Sequence, residues 1–240
     1  EILIGLVGSE MCIRDRKTFI KFILSACMLS LLLSIFAFCS KNEEIETDNS
    51  NNNTTNTEDT ISFDDKEILI AYFSRANYVP EGTDGVSGAT NKAGNTQTVA
   101  YYIEQQIGGD IFEIIPERNY PVSHSDCSAI AQQEVKDNAR PALASHVENM
   151  KKYSIVFVGF PIWVYREPMA VLTFLEEYDF KGKTVIPFCT SMAVGIEQSM
   201  DDFRNTIPDA NIKQGLRLGY TLSGDWKVEI DNWLNELEDK

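Results

Sequence analysis

Tyr153–Phe160 reads YSIVFVGF, an apolar run of strand length broken only by Ser154 and Gly159. Such a run, without polar alternation, belongs to a strand covered on both faces, as in the middle of a parallel sheet. Reading outward, Glu67–Phe73 (EILIAYF), Ile111–Ile115 and Thr184–Cys189 (TVIPFC) are further short apolar runs, and Ile212–Leu218 reads as a fifth strand. Between them lie segments with helical spacing. Thr96–Gln106 carries Val99, Ile103 and the pair Tyr101/Tyr102, and Glu167–Tyr178 carries Val171, Leu172, Phe174 and Leu175 on one side. Ser125–Met150 reads as helix interrupted near Pro141, Ile196–Ile207 as helix, and Trp226–Leu237 as a closing helix. Strand and helix thus alternate five times, which predicts an α/β doubly wound parallel sheet in three layers. In such sheets ligands sit beyond the carboxyl ends of the strands, so the loops after strands one, three and four carry the functional question.

The chain has 240 residues, 36 of them acidic and 21 basic, for a net charge of −15, and 43% are hydrophobic. That content supports a buried core and excludes disorder throughout. The acidity argues against a nucleic-acid binder, which neutralises phosphates with clustered Lys and Arg. Two histidines and five cysteines argue against a His-rich metal centre or a disulfide scaffold.

The first sixty residues read as separate from the fold. Residues 1–16 contain a stretch, Val7–Arg16, that resembles a translated sequencing-adapter scar, the alternative being an ordinary N-terminus. Residues 17–39 follow the plan of a secretory signal: Arg16, Lys17 and Lys21, then the uncharged 17-residue run Phe22–Phe38. As a helix that run rises about 26 Å, short of the roughly 30 Å hydrocarbon core, although a retained anchor helix is the main alternative. Cys39 ends the run as in a bacterial lipoprotein signal, making it the expected lipidation site. Cys27, after Leu24-Ser25-Ala26, is the alternative, but cleavage there leaves an apolar tail attached. Residues 40–60, rich in Asn, Thr, Glu and Asp, read as a flexible tether. The expectation is a domain over 61–240, itself at −11, exported to the bacterial envelope and held at the membrane only through lipid.

Three loops of that domain carry candidate chemistry. After strand one come Ser74 and Arg75, a long insertion through Ala93, and Gly94-Asn95-Thr96 opening a helix. Glycine and small hydroxylic residues at a helix N-terminus make an anion site that needs no basic residue. By itself, Asn95 or Thr96 is equally an ordinary N-cap. After strand three, Pro161-Ile162-Trp163-Val164-Tyr165 places two aromatics near prolines, suited to one wall of a flat slot or, alternatively, to a lid on the core. After strand four, Thr190-Ser191-Met192-Ala193-Val194-Gly195 offers backbone N–H groups along a ring edge, or is a plain connection. Gly182-Lys183-Thr184 is no phosphate-binding P-loop, since it precedes a strand. His124 and His146 read as surface residues, Cys127 as a loop thiol and Cys189 as a small buried apolar residue.

Taken together, ILIAYFSR, GNTQTVAYYI, DNARPAL, FVGFPIW and FLEEYDFKGKTVIPFCT resemble flavodoxin-like proteins, in particular the subgroup found as bacterial lipoproteins and small oxidoreductases. The resemblance implies a five-stranded sheet of order 2-1-3-4-5 and non-covalently bound FMN. By that resemblance Ser74, Asn95 and Thr96 contact the phosphate. Pro161, Ile162, Trp163 and Tyr165 line the isoalloxazine ring, and Thr190–Gly195 border its other edge. The sequence departs from the pattern in the insertion Ala76–Ala93, in Ala93 where a hydroxyl residue is usual, and in Ser191-Met192-Ala193-Val194 where the loop is usually Gly-rich. Each added Cβ restricts how closely backbone approaches a ring. The functional expectation is an FMN-dependent redox protein, for electron transfer or reduction of a small substrate. The alternatives are a binding module on the same fold without flavin, and an NAD(P)H-dependent flavin or quinone reductase, for which no dinucleotide fingerprint is present.

Overall fold

A computed structural model describes residues 61–75, 93–121 and 123–238. The expected scar, signal segment, both candidate lipidation cysteines, the tether and residues 76–92 of the first loop lie outside the described residues.

Strands β1 (Ile68–Tyr72), β2 (Asp110–Glu113), β3 (Ile155–Pro161), β4 (Thr184–Ser191), β5 (Asn211–Ile212) and β6 (Leu216–Gly219) form one sheet. All pairings are parallel and the order is β2-β1-β3-β4-β5, with β6 also on β4. Helices α1 (Asn95–Ile107) and α5 (Trp226–Glu238) cover one face; α2 (His124–Lys136), α3 (Met169–Glu177) and α4 (Glu197–Thr206) cover the other. Alternation along the strands feeds both layers. Leu69, Ala71 and Phe73 join Val156, Val158 and Phe160 beneath α2–α4, while Ile68, Ile70 and Tyr72 join Ile155 and Phe157 beneath α1 and α5. Ile61 and Phe63 seal the second layer, and the Ile61 N–H donates to the Leu237 carbonyl at 3.2 Å.

Two elements differ from the sequence reading. The long helix expected over Ser125–Met150 stops at Lys136, because Asn138 turns the chain with φ +48° and Pro141 follows. Cys127 lies within α2 and is buried, so it is a core residue and not a loop thiol. The fifth strand is split. Val185 pairs with Ile212 and Phe188 with Leu216, so β4 advances three residues while its neighbour advances four. The extra residue bulges opposite Pro187, which has no N–H to offer the ladder.

β3 packs closely against the Phe188 side chain of β4 at Gly159. A Cβ at Gly159 would stand 2.1 Å from the Phe188 ring, which is fully buried and has nowhere to move. Gly159→Ala is therefore expected to destabilise the fold by about 1–3 kcal/mol through overpacking. Denaturant titration checks this; an unchanged midpoint would contradict the packing described.

Candidate functional site

The carboxyl ends of β1, β3 and β4 converge on Thr190. Its carbonyl accepts the Ile162 N–H at 3.0 Å, extending the β3–β4 ladder beyond Pro161, which pairs with Thr190. Its hydroxyl lies 2.9 Å from that of Thr96 in a buried contact. The loops after all three strands are thereby drawn to one place, as the sequence reading required. Ser74, at the end of β1, is buried there, and Arg75 donates to the Pro121 carbonyl at 3.4 Å.

The N-terminus of α1 carries no side-chain cap among the described residues. Gly94 is its N-cap, with φ −69° and ψ 160°, and its first turn holds no acidic residue. The amides of Asn95, Thr96 and Gln97 have no acceptor within the helix, and the dipole favours a negative group beside them. The side chains of Asn95 and Thr96 also make contacts within the protein. The Thr96 hydroxyl shares a hydrogen bond with that of Thr190, and Asn95 donates through Nδ2 to the Tyr220 carbonyl. Among the described residues, the backbone amides at the start of α1 are donors that this end of the site offers.

The loop after β3 is a tight hairpin. The Trp163 N–H donates to the Arg166 carbonyl at 2.7 Å, and the Arg166 N–H returns to Trp163 at 2.9 Å. Val164 and Tyr165 between them have φ of +47° and +69°. Such turns favour Asn-Gly, and a β-branched residue there is strained by roughly 1–2 kcal/mol. The surroundings hold it. The Trp163 ring is braced edge-on by Phe73 at 5.2 Å and Tyr120 at 5.0 Å, and Arg166 is bound to Asp202 at 2.6 Å. Trp163 is half-buried against the core layer, and Ile162 packs there too, whereas Tyr165 is 73% exposed. On the neighbouring loop Met192 is 76% exposed. Among the described residues these two are the most exposed large hydrophobic side chains, and they stand on adjacent loops of one sheet edge. Sequence reading missed Tyr120, Tyr220 and Arg217, whose roles rest on long-range contacts. Cys189, beneath this edge, is buried, and burial pushes its thiol up to about 12, which keeps it protonated.

Below the hairpin lies Glu167, whose side chain is fully buried. Arg166 approaches its carboxylate only to 3.4 Å while pairing more closely with Asp202, and Oε2 has no hydrogen-bond partner among the described residues. Its own N–H donates to Ser199 Oγ at 3.0 Å. Burial pushes the carboxyl up to about 7, above its ordinary value of 4.5, with the Asp202 charge adding to the rise. A carboxyl that holds its proton more tightly in the folded state loses stability as pH rises through the interval between those values. The stability of the wild type relative to Glu167→Gln should therefore fall between about pH 5 and pH 7 and level off above. Denaturation of both across that range checks this; a constant difference would contradict it.

A family model described as flavodoxin matches residues 67–237. Among curated proteins nothing matches. The crystal structure of a candidate flavoprotein from Bacteroides eggerthii is 31% identical, with 73% of this chain and 99% of that one covered and a TM-score of 0.57. A second, from Bacteroides uniformis, is 27% identical over 71% of this chain and 98% of that one, with a TM-score of 0.56. A flavoprotein from Lactobacillus acidophilus, crystallised in complex with FMN, shares the fold at 19% identity, covering 70% of this chain and 99% of that one, with a TM-score of 0.52. The match over 67–237 agrees with the parallel order β2-β1-β3-β4-β5 and with the three loops gathered on Thr190: the chain belongs to the flavodoxin family.

Proposed function

We propose that this protein binds FMN across the carboxyl ends of β1, β3 and β4 and serves as a redox protein at the bacterial envelope. The observation that carries the reading is the pairing of an uncapped helix N-terminus with two exposed apolar side chains, Tyr165 and Met192, at one sheet edge. A ligand with an anionic end and a flat apolar end matches that arrangement. The amides of Asn95–Gln97 would hold the phosphate, with no salt bridge needed in a domain at −11. Pro161, Ile162, Trp163, Val164 and Tyr165 would line one side of the ring, and Thr190–Gly195 the other. Bound FMN supplies the electron-transfer chemistry, while the protein supplies position and electrostatics. The strained hairpin offers the ring a wall set before binding, because Phe73, Tyr120 and Asp202 already hold it. Attachment through a lipid on Cys39, or on Cys27, with residues 40–60 as tether, would place the domain at a membrane surface. Its redox partners would then be membrane-associated proteins or small molecules.

Riboflavin, which lacks the phosphate, should bind about 10-fold or more weakly than FMN, the loss expected for charge-assisted hydrogen bonds. Equal affinities would remove the α1 terminus from the site. Trp163→Ala should weaken FMN by about 1–3 kcal/mol if its exposed portion covers the ring. Affinity and melting temperature measured on the same variant separate this from a purely structural role: reduced stability with unchanged affinity would make Trp163 a core lid. Mass spectrometry of the membrane fraction tests the anchor, which predicts a lipidated N-terminal cysteine. A chain that keeps residues 17–38 unmodified would contradict it.

A further inference from the structure

Arg217 stands on β6, in register with Cys189 of β4. Its Nη2 donates to the carbonyls of Ser191 and Met192, each at 3.3 Å, and its Nε donates to the carbonyl of Val194 at 3.3 Å. One guanidinium thus holds three of the four peptide units in the loop after β4. In a planar trans peptide the N–H points opposite to the carbonyl. With those carbonyls turned to Arg217, the N–H groups of Met192, Ala193 and Gly195 point away from it. Among the described residues, the amides of Ala193 and Gly195 donate no hydrogen bond.

The loop takes this shape without glycine freedom. Ser191, Met192, Ala193 and Val194 carry Cβ atoms, and no residue from 191 to 195 has a positive φ. What holds its carbonyls is the Arg217 side chain. Arginine suits the task because its planar fork reaches several carbonyls at once, whereas a lysine ammonium acts as a single point charge.

We infer that Arg217 is a positioning residue, which turns the Met192, Ala193 and Gly195 amides toward the site so that they receive the hydrogen-bond-accepting edge of the flavin ring. The inference rests on the FMN reading and deepens it. What it adds is that the orientation of the loop after β4 depends on a residue of a different strand.

The test compares wild type, Arg217→Lys and Arg217→Gln by FMN titration, by melting of the FMN-free protein, and by amide NMR shifts of Ala193 and Gly195 on adding FMN. Both variants should bind FMN about 10-fold or more weakly, since the donors would no longer be aligned. Lysine, which keeps the charge, should not rescue binding. Melting of the FMN-free forms should stay close to wild type, because Arg217 is exposed. In the wild type, FMN should shift both amides. Wild-type affinity in either variant, or wild-type amides that do not respond to bound FMN, would overturn the role of Arg217 while leaving FMN binding intact. A wild type that fails to bind FMN at all would instead remove the FMN reading and this inference with it. Silent amides in the wild type would overturn the inference even where a variant fails to fold.

Discussion

Thr190 is the residue through which the sheet becomes a site. Its backbone continues the β3–β4 ladder to Ile162, its side chain binds Thr96 at the start of α1, and its other edge pairs with Leu218 of β6. Each contact is modest, since a net intramolecular hydrogen bond contributes only about 1 kcal/mol. Their joint effect is geometric. The N-terminus of α1, the aromatic hairpin and the loop after β4 are fixed to one another by bonds that converge on one buried residue. Loss of the hydroxyl would leave the buried Thr96 oxygen without its partner, so the constraint is also costly to break.

An arginine lies beneath each of the two loops that would flank a ring. Arg166 anchors the hairpin to Asp202, and Arg217 clamps the carbonyls of Ser191, Met192 and Val194. In a domain with net charge −11, these cations are spent on holding the protein and are not presented to the phosphate. The cost of this design is visible in Glu167. It is buried beside an arginine that pairs more closely with another carboxylate, and its own carboxyl is held above the ordinary range. Strain in Val164 and Tyr165 is the second cost, and both lie within four residues of one another, where the chain leaves β3. Local strain of this kind persists only where the surroundings enforce it.

The sheet was legible because its central strands are buried on both faces, which leaves near-continuous apolar runs in Glu67–Phe73, Tyr153–Phe160 and Thr184–Cys189. The family resemblance rested on those runs and on the loops that follow them. What escaped the sequence depends on distant contacts. Val164-Tyr165 carries no turn signal, and the turn exists because Phe73, Tyr120 and Asp202 hold its flanks. Arg217 looks like any exposed basic residue at a strand end. The contacts of the Asn95 and Thr96 side chains with Tyr220 and Thr190 are equally silent in sequence. The split of the fifth strand follows from Pro187, visible as a proline but not as a bulge in its neighbour.

The most direct test of FMN binding at this edge is the visible absorption spectrum of the purified protein, before and after denaturation. The structure predicts a yellow protein whose oxidised-flavin bands are perturbed in the folded state and released as free FMN on unfolding, with colour restored when FMN is added back to the refolded chain. A colourless folded protein that takes up no added FMN would contradict it.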